Sequence, residues 1–309
     1  ETYGALAWFS NFLPRTRAAV ALVPREGAPT LLLSVGLRDV PAAKTLTWVE
    51  DVRPFSRLPR TLVGLIEEKS LQSARLGLAS VEELLPVKDW NEITKALPKV
   101  RFANRTRELS ALRTVKDDCE IEAVRRVANI VSGALDQFAG ALKPGVAMRE
   151  ATARIEHFLR ANAAEDVRIM VAAGEQAGVS LRPADDRVLR AGDSVLLYVA
   201  AEAQRYWAEG ARTYVLGAAS EAQKRLVAQA EQALTMMRAN MALGAGAATI
   251  AKMGEMTLTD AALRASARGY GLGNGIGLDA AEAPVFDSRQ PVNDRSTLDR
   301  KSTRLNSSH

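Results

Sequence analysis

The spacing of apolar residues in the first third of the chain predicts short strands and short helices. Three apolar runs are typical of β-strands, and a turn signal, Pro24-Arg25-Glu26-Gly27, separates the first two. We expect helices over residues 62–69 and 80–85. Together these elements predict an α/β unit over residues 1–111. The runs that predict strands lie at 18–23, 30–35 and 74–78.

A helical period begins after Lys116. Apolar residues then recur every three or four positions, which predicts one long amphipathic helix that ends at Pro144-Gly145. A second helix is predicted over 148–161. The stripe on the first helix comprises Ile121, Val124, Ala128, Val131, Leu135, Phe138 and Leu142.

Strands and then helices follow. Runs at 167–173, 194–200 and 205–216 predict three strands, the last with a bulge at Glu209-Gly210. Ser220 and Gln223 form a capping box for a helix over 220–241, and one further helix is predicted over 250–268. Helices packed on a mostly antiparallel sheet indicate the α+β class. The core stripe predicted for the helix at 220–241 comprises Leu226, Val227, Ala230, Leu234, Met237 and Met241.

Composition narrows the class of protein. The chain has 309 residues, 47% hydrophobic and 25% charged, which is typical of globular domains. No apolar run approaches the roughly 20 residues that cross a bilayer. Clustered basic residues with interleaved aromatics are not seen, which argues against nucleic-acid binding. A single cysteine, Cys119, fits a reducing cytoplasm, and only two histidines, His157 and His309, limit the metal chemistry.

Both ends of the chain have unusual features. Residues 299–309 (DRKSTRLNSSH) resemble the translation of a sequencing-library adapter, and we set them aside as a non-biological tail. The tail carries three basic residues against one acidic, so the net charge without it falls from +5 to +3. The start, Glu1-Thr2-Tyr3, is typical of a chain that begins part-way along. We therefore expect missing segments at both ends.

The segment 273–284 (GNGIGLDAAEAP) has the layout of a metal-enzyme loop. Glycines flank Asn274 on both sides, and Glu282-x-Pro284 follows at short range. An imidazole at position 274 would be an obvious metal ligand, whereas an amide is a poor one.

Five segments in order resemble the pita-bread metallopeptidase family, which includes aminopeptidase P, prolidase and creatinase. The resemblance implies a creatinase-like amino-terminal α/β domain at 1–111, then a pita-bread domain at 112–298 that lacks its last strands. The five segments are LRTVKDDCEIEAVRRV, LKPGV, SLRPADDRVLRAGDSVLLYV, YWAEGARTYVLG and GNGIGLDAAEAP.

Active members of that family hold two divalent ions, Mn, Co or Zn, and use them to activate a water. The resemblance places the two aspartate ligands at Tyr198 and Glu209 and the histidine ligand at Asn274. It places the accessory histidines at Ser180 and Ala281. The two glutamate ligands would lie beyond Leu298. A neutral phenol and an amide do not build a two-metal cage, so we expect no metal cofactor.

The polar residues that remain predict a metal-free site. We expect Glu209, Tyr198, Asn274 and Ser180 to carry any catalysis, with Glu209 as general base. We expect the substrate to contact Arg212, Arg182, Trp207 and Glu282. The alternative is structural: Glu209 pairs with Arg212 in a salt bridge, and Asn274 caps a turn.

Three functions stay open at this point. The first is a metal-independent hydrolase of an amide or other C–N bond. The second is a non-catalytic paralogue that binds a small molecule or peptide or acts in dimerisation. The third is an active metalloaminopeptidase, which requires that the residue placement is wrong. We expect a homodimer in the cytoplasm, with no nucleic-acid or membrane partner.

Overall fold

The protein is described by a computed structural model that covers residues 3–14, 18–178, 181–242 and 245–287. The chain divides into two compact units, Glu1–Arg113 and Thr114–His309. No helix of these described ranges is long and apolar enough to cross a membrane. The tail at 299–309 lies outside the described residues.

The first unit is an α/β unit, as the sequence predicts. Strands β1 and β2 form an antiparallel pair, and β3 adds to β2 in parallel. A separate pair, β4 and β5, is also parallel. The strands are β1 (Ala19–Leu22), β2 (Thr30–Leu33), β3 (Asp51–Pro54), β4 (Arg75–Leu78) and β5 (Arg101–Asn104). The helices are α1 (Gly4–Ser10), α2 (Val40–Lys44), α3 (Leu58–Glu68), α4 (Val81–Leu84), α5 (Val87–Ala96) and α6 (Thr106–Thr114), with a 3₁₀ turn at Leu37–Asp39.

An ionic cross-link ties β2 and β3 to α3. Arg53 donates to Asp51 at 2.8 Å and to Glu68 at 2.6 and 2.7 Å, and the Thr30 hydroxyl donates to Asp51 at 2.7 Å. The Arg53 guanidinium holds the pKa of the Asp51 carboxyl below its usual 3.8. Asp51 must therefore be ionised for the cross-link to form.

The second unit packs two helices on a three-stranded sheet. An antiparallel sheet in the order β6-β7-β8 lies against α7 and α8, and α9, α10, α11 and a β9–β10 hairpin follow. The helices are α7 (Asp118–Ala141), α8 (Met148–Ala161), α9 (Glu221–Ala239), α10 (Ala247–Met256) and α11 (Ala261–Tyr270). The strands are β6 (Asp166–Ala173), β7 (Ser194–Ala203), β8 (Tyr206–Val215), β9 (Asn274–Gly275) and β10 (Glu282–Val285), with a 3₁₀ segment at Gly174–Gly178.

The predicted helices α7 and α8 are confirmed. Asp117 caps α7 and forms a capping box with Glu120. The middle of the predicted stripe is fully buried against the sheet, as are Ile155 and Leu159 of α8. The buried members of the α7 stripe are Ala128, Val131, Leu135 and Phe138.

Three predictions for this unit are wrong in detail. The capping box of Ser220 is present, but only Met237 of the predicted stripe on α9 is buried, and Leu226, Val227 and Leu234 are exposed. The helix predicted at 250–268 is two helices, because Asp260 accepts hydrogen bonds from the first amides of α11 and starts a new helix.

The third correction concerns the bulge predicted at Glu209-Gly210. The register of β7 with β8 is unbroken from Ser194 opposite Val215 to Ala203 opposite Tyr206. Gly210 serves packing instead: a Cβ there would lie 3.1 Å from Leu135 and 3.3 Å from Val131 of α7. The missing side chain lets the helix lie close to the strand.

We predict that Gly210→Leu destabilises the second unit by about 1–3 kcal/mol, because the new side chain overpacks the contact with α7. Gly140→Ala is the matched control, since a Cβ at Gly140 meets nothing within 4 Å. This control should gain up to about 1 kcal/mol from reduced backbone entropy in the unfolded state. Urea unfolding of both variants measures the two effects, and equal changes would contradict the packing role of Gly210.

The Asp51–Arg53 cross-link predicts an acid-sensitive first unit. Since the folded pKa of Asp51 is lowered, its stabilisation is present above the ordinary pKa of 3.8 and is lost as pH falls through the folded pKa. Asp51→Asn should remove this part of the pH dependence, and Arg53→Gln should reduce it. Urea midpoints between about pH 3 and pH 7 measure it. Parallel curves for the wild type and Asp51→Asn would refute the role of this carboxylate.

Candidate functional site

The sheet β6–β7–β8 has two chemically different faces. Alternation along β7 turns Val195, Leu197 and Val199 toward α7 and α8, where they are fully buried. This side is the helix-covered face. The opposite side is the site face, which includes Arg168, Tyr198, Ala200, the buried Glu202, Trp207 and Glu209.

Tyr198 and Glu209 form a direct hydrogen bond on the site face. The Tyr198 hydroxyl donates to Glu209 Oε2 at 2.7 Å, and both side chains are half-buried. Burial, and next the Glu209 carboxylate, raise the pKa of Tyr198 well above its ordinary 10.0. Tyr198 is therefore a neutral phenol at physiological pH, and it acts as a donor to Glu209.

Arg168 and Trp207 form a second pair on the same face. The Arg168 guanidinium lies 4.7 Å from the centre of the Trp207 ring, in the geometry of a cation–π contact. Arg168 is in register with Ala200, which is in register with Glu209, so a small buried residue separates a cation from a carboxylate. Sequence reasoning missed Arg168, although it is the one charged residue of the run VRIMVAA.

Arg212 lies on the helix-covered face. It donates to Asp136 of α7 at 2.9 Å. The expected Glu209–Arg212 salt bridge is therefore wrong, because an odd separation on one strand sends the two side chains to opposite faces. Tyr206 is on the same side as Arg212 and donates to Glu120 at 3.0 Å.

The loop around β9 is braced by Asn274. Its Nδ2 donates to the carbonyl of Gly275 at 2.8 Å and to that of Ala280 at 3.3 Å. The Gly277 carbonyl accepts a hydrogen bond from the Trp207 backbone amide at 2.7 Å, which ties the loop to β8. The amide of Asn274 is therefore engaged in holding the loop's own backbone.

A buried ion pair anchors the same loop to the start of α7. Lys116 Nζ lies 2.6 Å from Glu282 Oε2, and the two side chains are 10% and 9% exposed. The Asp279 amide donates to the other oxygen of Glu282 at 3.0 Å. Gly277 makes room for the pair, because a Cβ there would lie 2.7 Å from Glu282 Oε2. Sequence reasoning did not predict this contact, because it joins residues 166 positions apart.

Two further residues were predicted for the site, Ser180 and Arg182, and neither is seen on the site face. Ser180 lies outside the described residues. Arg182 is exposed beside the edge of β6, where its backbone pairs with Val171. Its guanidinium contacts Gln176 and lies 2.8 Å from Asp185. The roles proposed for these two residues stay predictions.

The donor set of the site face is poor for a two-metal centre. At the positions that the resemblance assigns to metal ligands, the protein offers a neutral phenol, one carboxylate and the neutral amide of Asn274, whose carbonyl oxygen is a weak ligand. Within the described parts of the chain, no group of three or more His, Cys, Asp or Glu side chains could hold a metal ion.

We predict that Lys116→Met costs about 3–5 kcal/mol of folding stability, because it leaves the Glu282 carboxylate buried without its cation. The matched control is Arg149→Met, which breaks the exposed ion pair with Asp186 and should cause no measurable change. Denaturant unfolding compares the two variants. A negligible loss for Lys116→Met would show that the buried pair does not anchor the loop.

Comparison with known proteins gives the lineage. A model of metallopeptidase family M24 matches residues 122–304, and a model of the creatinase/prolidase N-terminal domain matches residues 4–115. The Xaa-Pro dipeptidase of Pyrococcus horikoshii is 25% identical over 148 residues, which are 47% of this chain and 42% of that protein. An uncharacterized peptidase of Staphylococcus aureus, SAS1635, is 24% identical over 228 residues, 71% of this chain and 61% of that protein. The chain thus spans about half the length of these relatives.

Solved structures agree on the fold. The X-Pro aminopeptidase of Thermotoga maritima has a TM-score of 0.83 and 21% identity, over 97% of this chain and 81% of that one. The prolidase of Pyrococcus horikoshii has a TM-score of 0.80 and 20% identity, over 97% of this chain and 82% of that one. The predicted α+β architecture, a creatinase-like amino-terminal domain followed by a pita-bread domain, is confirmed. The chain belongs to metallopeptidase family M24.

Proposed function

We propose that this M24 protein binds a small molecule or peptide on its site face and does not hold the two-metal centre. The observation that carries the proposal is the hydrogen bond between Tyr198 and Glu209. The sequence resemblance assigns these two positions to metal-binding aspartates. In this chain their side chains satisfy each other instead.

Charge balance supports the same conclusion. Two divalent ions close together need several anionic oxygens between them. The site face supplies Glu209 alone from the resemblance-assigned positions, because Tyr198 stays protonated and Asn274 is uncharged. Arg168 adds a positive charge to the same face. Metal-dependent peptide hydrolysis is therefore not the activity that this face favours.

The site face has the features of a ligand surface. It combines a half-exposed carboxylate and phenol with a guanidinium that lies over a buried indole, on three adjacent strands. Aromatic walls with a few placed polar groups are typical of small-molecule sites. We expect a ligand with a hydrogen-bond donor or a positive charge directed at Glu209. A homodimer remains part of the proposal.

A metal-independent hydrolase of an amide or C–N bond is the second candidate. The half-exposed carboxylate of Glu209 favours it, since a carboxylate next to a neutral phenol can act as a general base with the phenol as donor.

Metal content tests the first part of the proposal. The full natural chain, produced with Mn²⁺ and Co²⁺ supplied, should retain far less than one ion per chain by mass spectrometry. The matched variant Tyr198→Asp/Glu209→Asp/Asn274→His restores the carboxylate and imidazole ligands and should retain more metal than the wild type. About two tightly held ions in the wild type would overturn the proposal.

Ligand screening tests the second part. Thermal-shift screening of dipeptides and small amides should yield compounds that stabilise the wild type, and Glu209→Gln should lose the shift. Release of a cleavage product in the presence of a chelator would favour the hydrolase instead. Stabilising compounds that act equally on Glu209→Gln would exclude Glu209 from the binding site.

A further inference from the structure

The parallel pair β4–β5 has one apolar and one basic face. Leu76 and Phe102 lie in the core of the first unit together with Val100. The alternate positions of the two strands hold Arg75 and Gly77 on β4, and Arg101 and Ala103 on β5. Both arginines are exposed.

Two more cations flank the ends of β5. Lys99 is exposed two residues before the strand, and Arg105 follows it. The Arg105 side chain lies over Gly77, since its Cγ is 3.0 Å from the position that a Cβ at residue 77 would take. We call Arg75, Lys99, Arg101 and Arg105 the basic stripe.

The arrangement of the stripe is unfavourable for the protein alone. Arg75 is directly opposite Arg101 in the parallel register, about 5 Å away across the strands. Like charges directly opposite each other destabilise a sheet. In the described part of the chain, none of the ion pairs involves Arg75, Lys99 or Arg101, and only Arg105 has an acidic partner, Glu108.

The surroundings of the stripe are also unusual. Parallel strands are ordinarily covered on both faces, yet Arg75, Gly77 and Arg101 are exposed. A surface of this kind fits an extended segment that brings negative charge to the arginines.

We propose that the basic stripe binds an acidic polypeptide segment of a partner protein. Arginine forks pair with carboxylates in two parallel hydrogen bonds, and every second carboxylate of an extended chain matches the spacing of the outward positions along β5. The outward positions of β4 and β5 hold no aromatic residue. Sequence-independent binding of single-stranded nucleic acid uses aromatic stacking, so a peptide is the favoured occupant.

The test is binding of a fluorescein-labelled octaglutamate peptide to the full chain, followed by fluorescence anisotropy at low salt. Arg75→Glu/Arg101→Glu should weaken the affinity about tenfold or more. The matched control is Arg60→Glu/Lys88→Glu, which changes the net charge equally at two exposed residues of the same unit. This control should change the affinity by about twofold or less.

A stability measurement separates binding from structure. Arg101→Thr should raise the melting temperature, since it removes the opposed like charges and keeps a good strand former, while it weakens peptide binding. A lower melting temperature would mean that Arg101 is structural and would overturn the proposal. Equal loss of peptide affinity in both double variants would also overturn the proposal. So would tighter binding of an oligothymidylate of equal charge than of the peptide.

Discussion

The unbroken register of β7 with β8 is the constraint on which the second unit depends. Ten consecutive pairs keep the side-chain alternation in phase from Ser194 to Ala203. Since side chains alternate between the two faces of the sheet with a period of two, a single extra residue in one strand would send every later side chain of that strand to the opposite face. It would turn Glu209 or Tyr198 toward α7 and break the apolar layer of Val195, Leu197 and Val199. Core packing and site chemistry are therefore fixed by the same set of backbone hydrogen bonds.

Sequence predicted this part of the fold well because its signals are local. The stripe on α7, the capping box at Ser220 and the strand runs all act within a few residues. The prediction of a bulge at Glu209-Gly210 was wrong for a non-local reason. The glycine is needed for close packing against Leu135 and Val131, which lie on a helix distant in sequence. The apolar stripe on α9 failed similarly, because periodicity shows that a face is apolar and does not show what covers it.

The same difference between local signals and non-local contacts applies to the candidate site. The resemblance assigned roles to Tyr198, Glu209 and Asn274 from the order of motifs, but their hydrogen-bond partners could be identified only from the structure. The ion pair of Lys116 with Glu282 could not be predicted from their spacing in the sequence. Arg168 became a candidate site residue only because the structure shows its contact with Trp207. Membership of family M24 establishes the lineage and the scaffold. Membership alone does not establish what the site does, since function is argued from the side chains of the site.

Two charged clusters are arranged in opposite ways, since one is buried and paired and the other is exposed with like charges opposed in register. In the second unit the buried Lys116 is neutralised by Glu282 at 2.6 Å, as burial of a charge demands. In the first unit Arg75 and Arg101 are opposed in register and exposed, where water screens their repulsion but does not remove it. A pair that satisfies itself is explained by the stability of its own fold. A pair that repels is explained by something outside that fold, and an anionic segment supplies the missing charge.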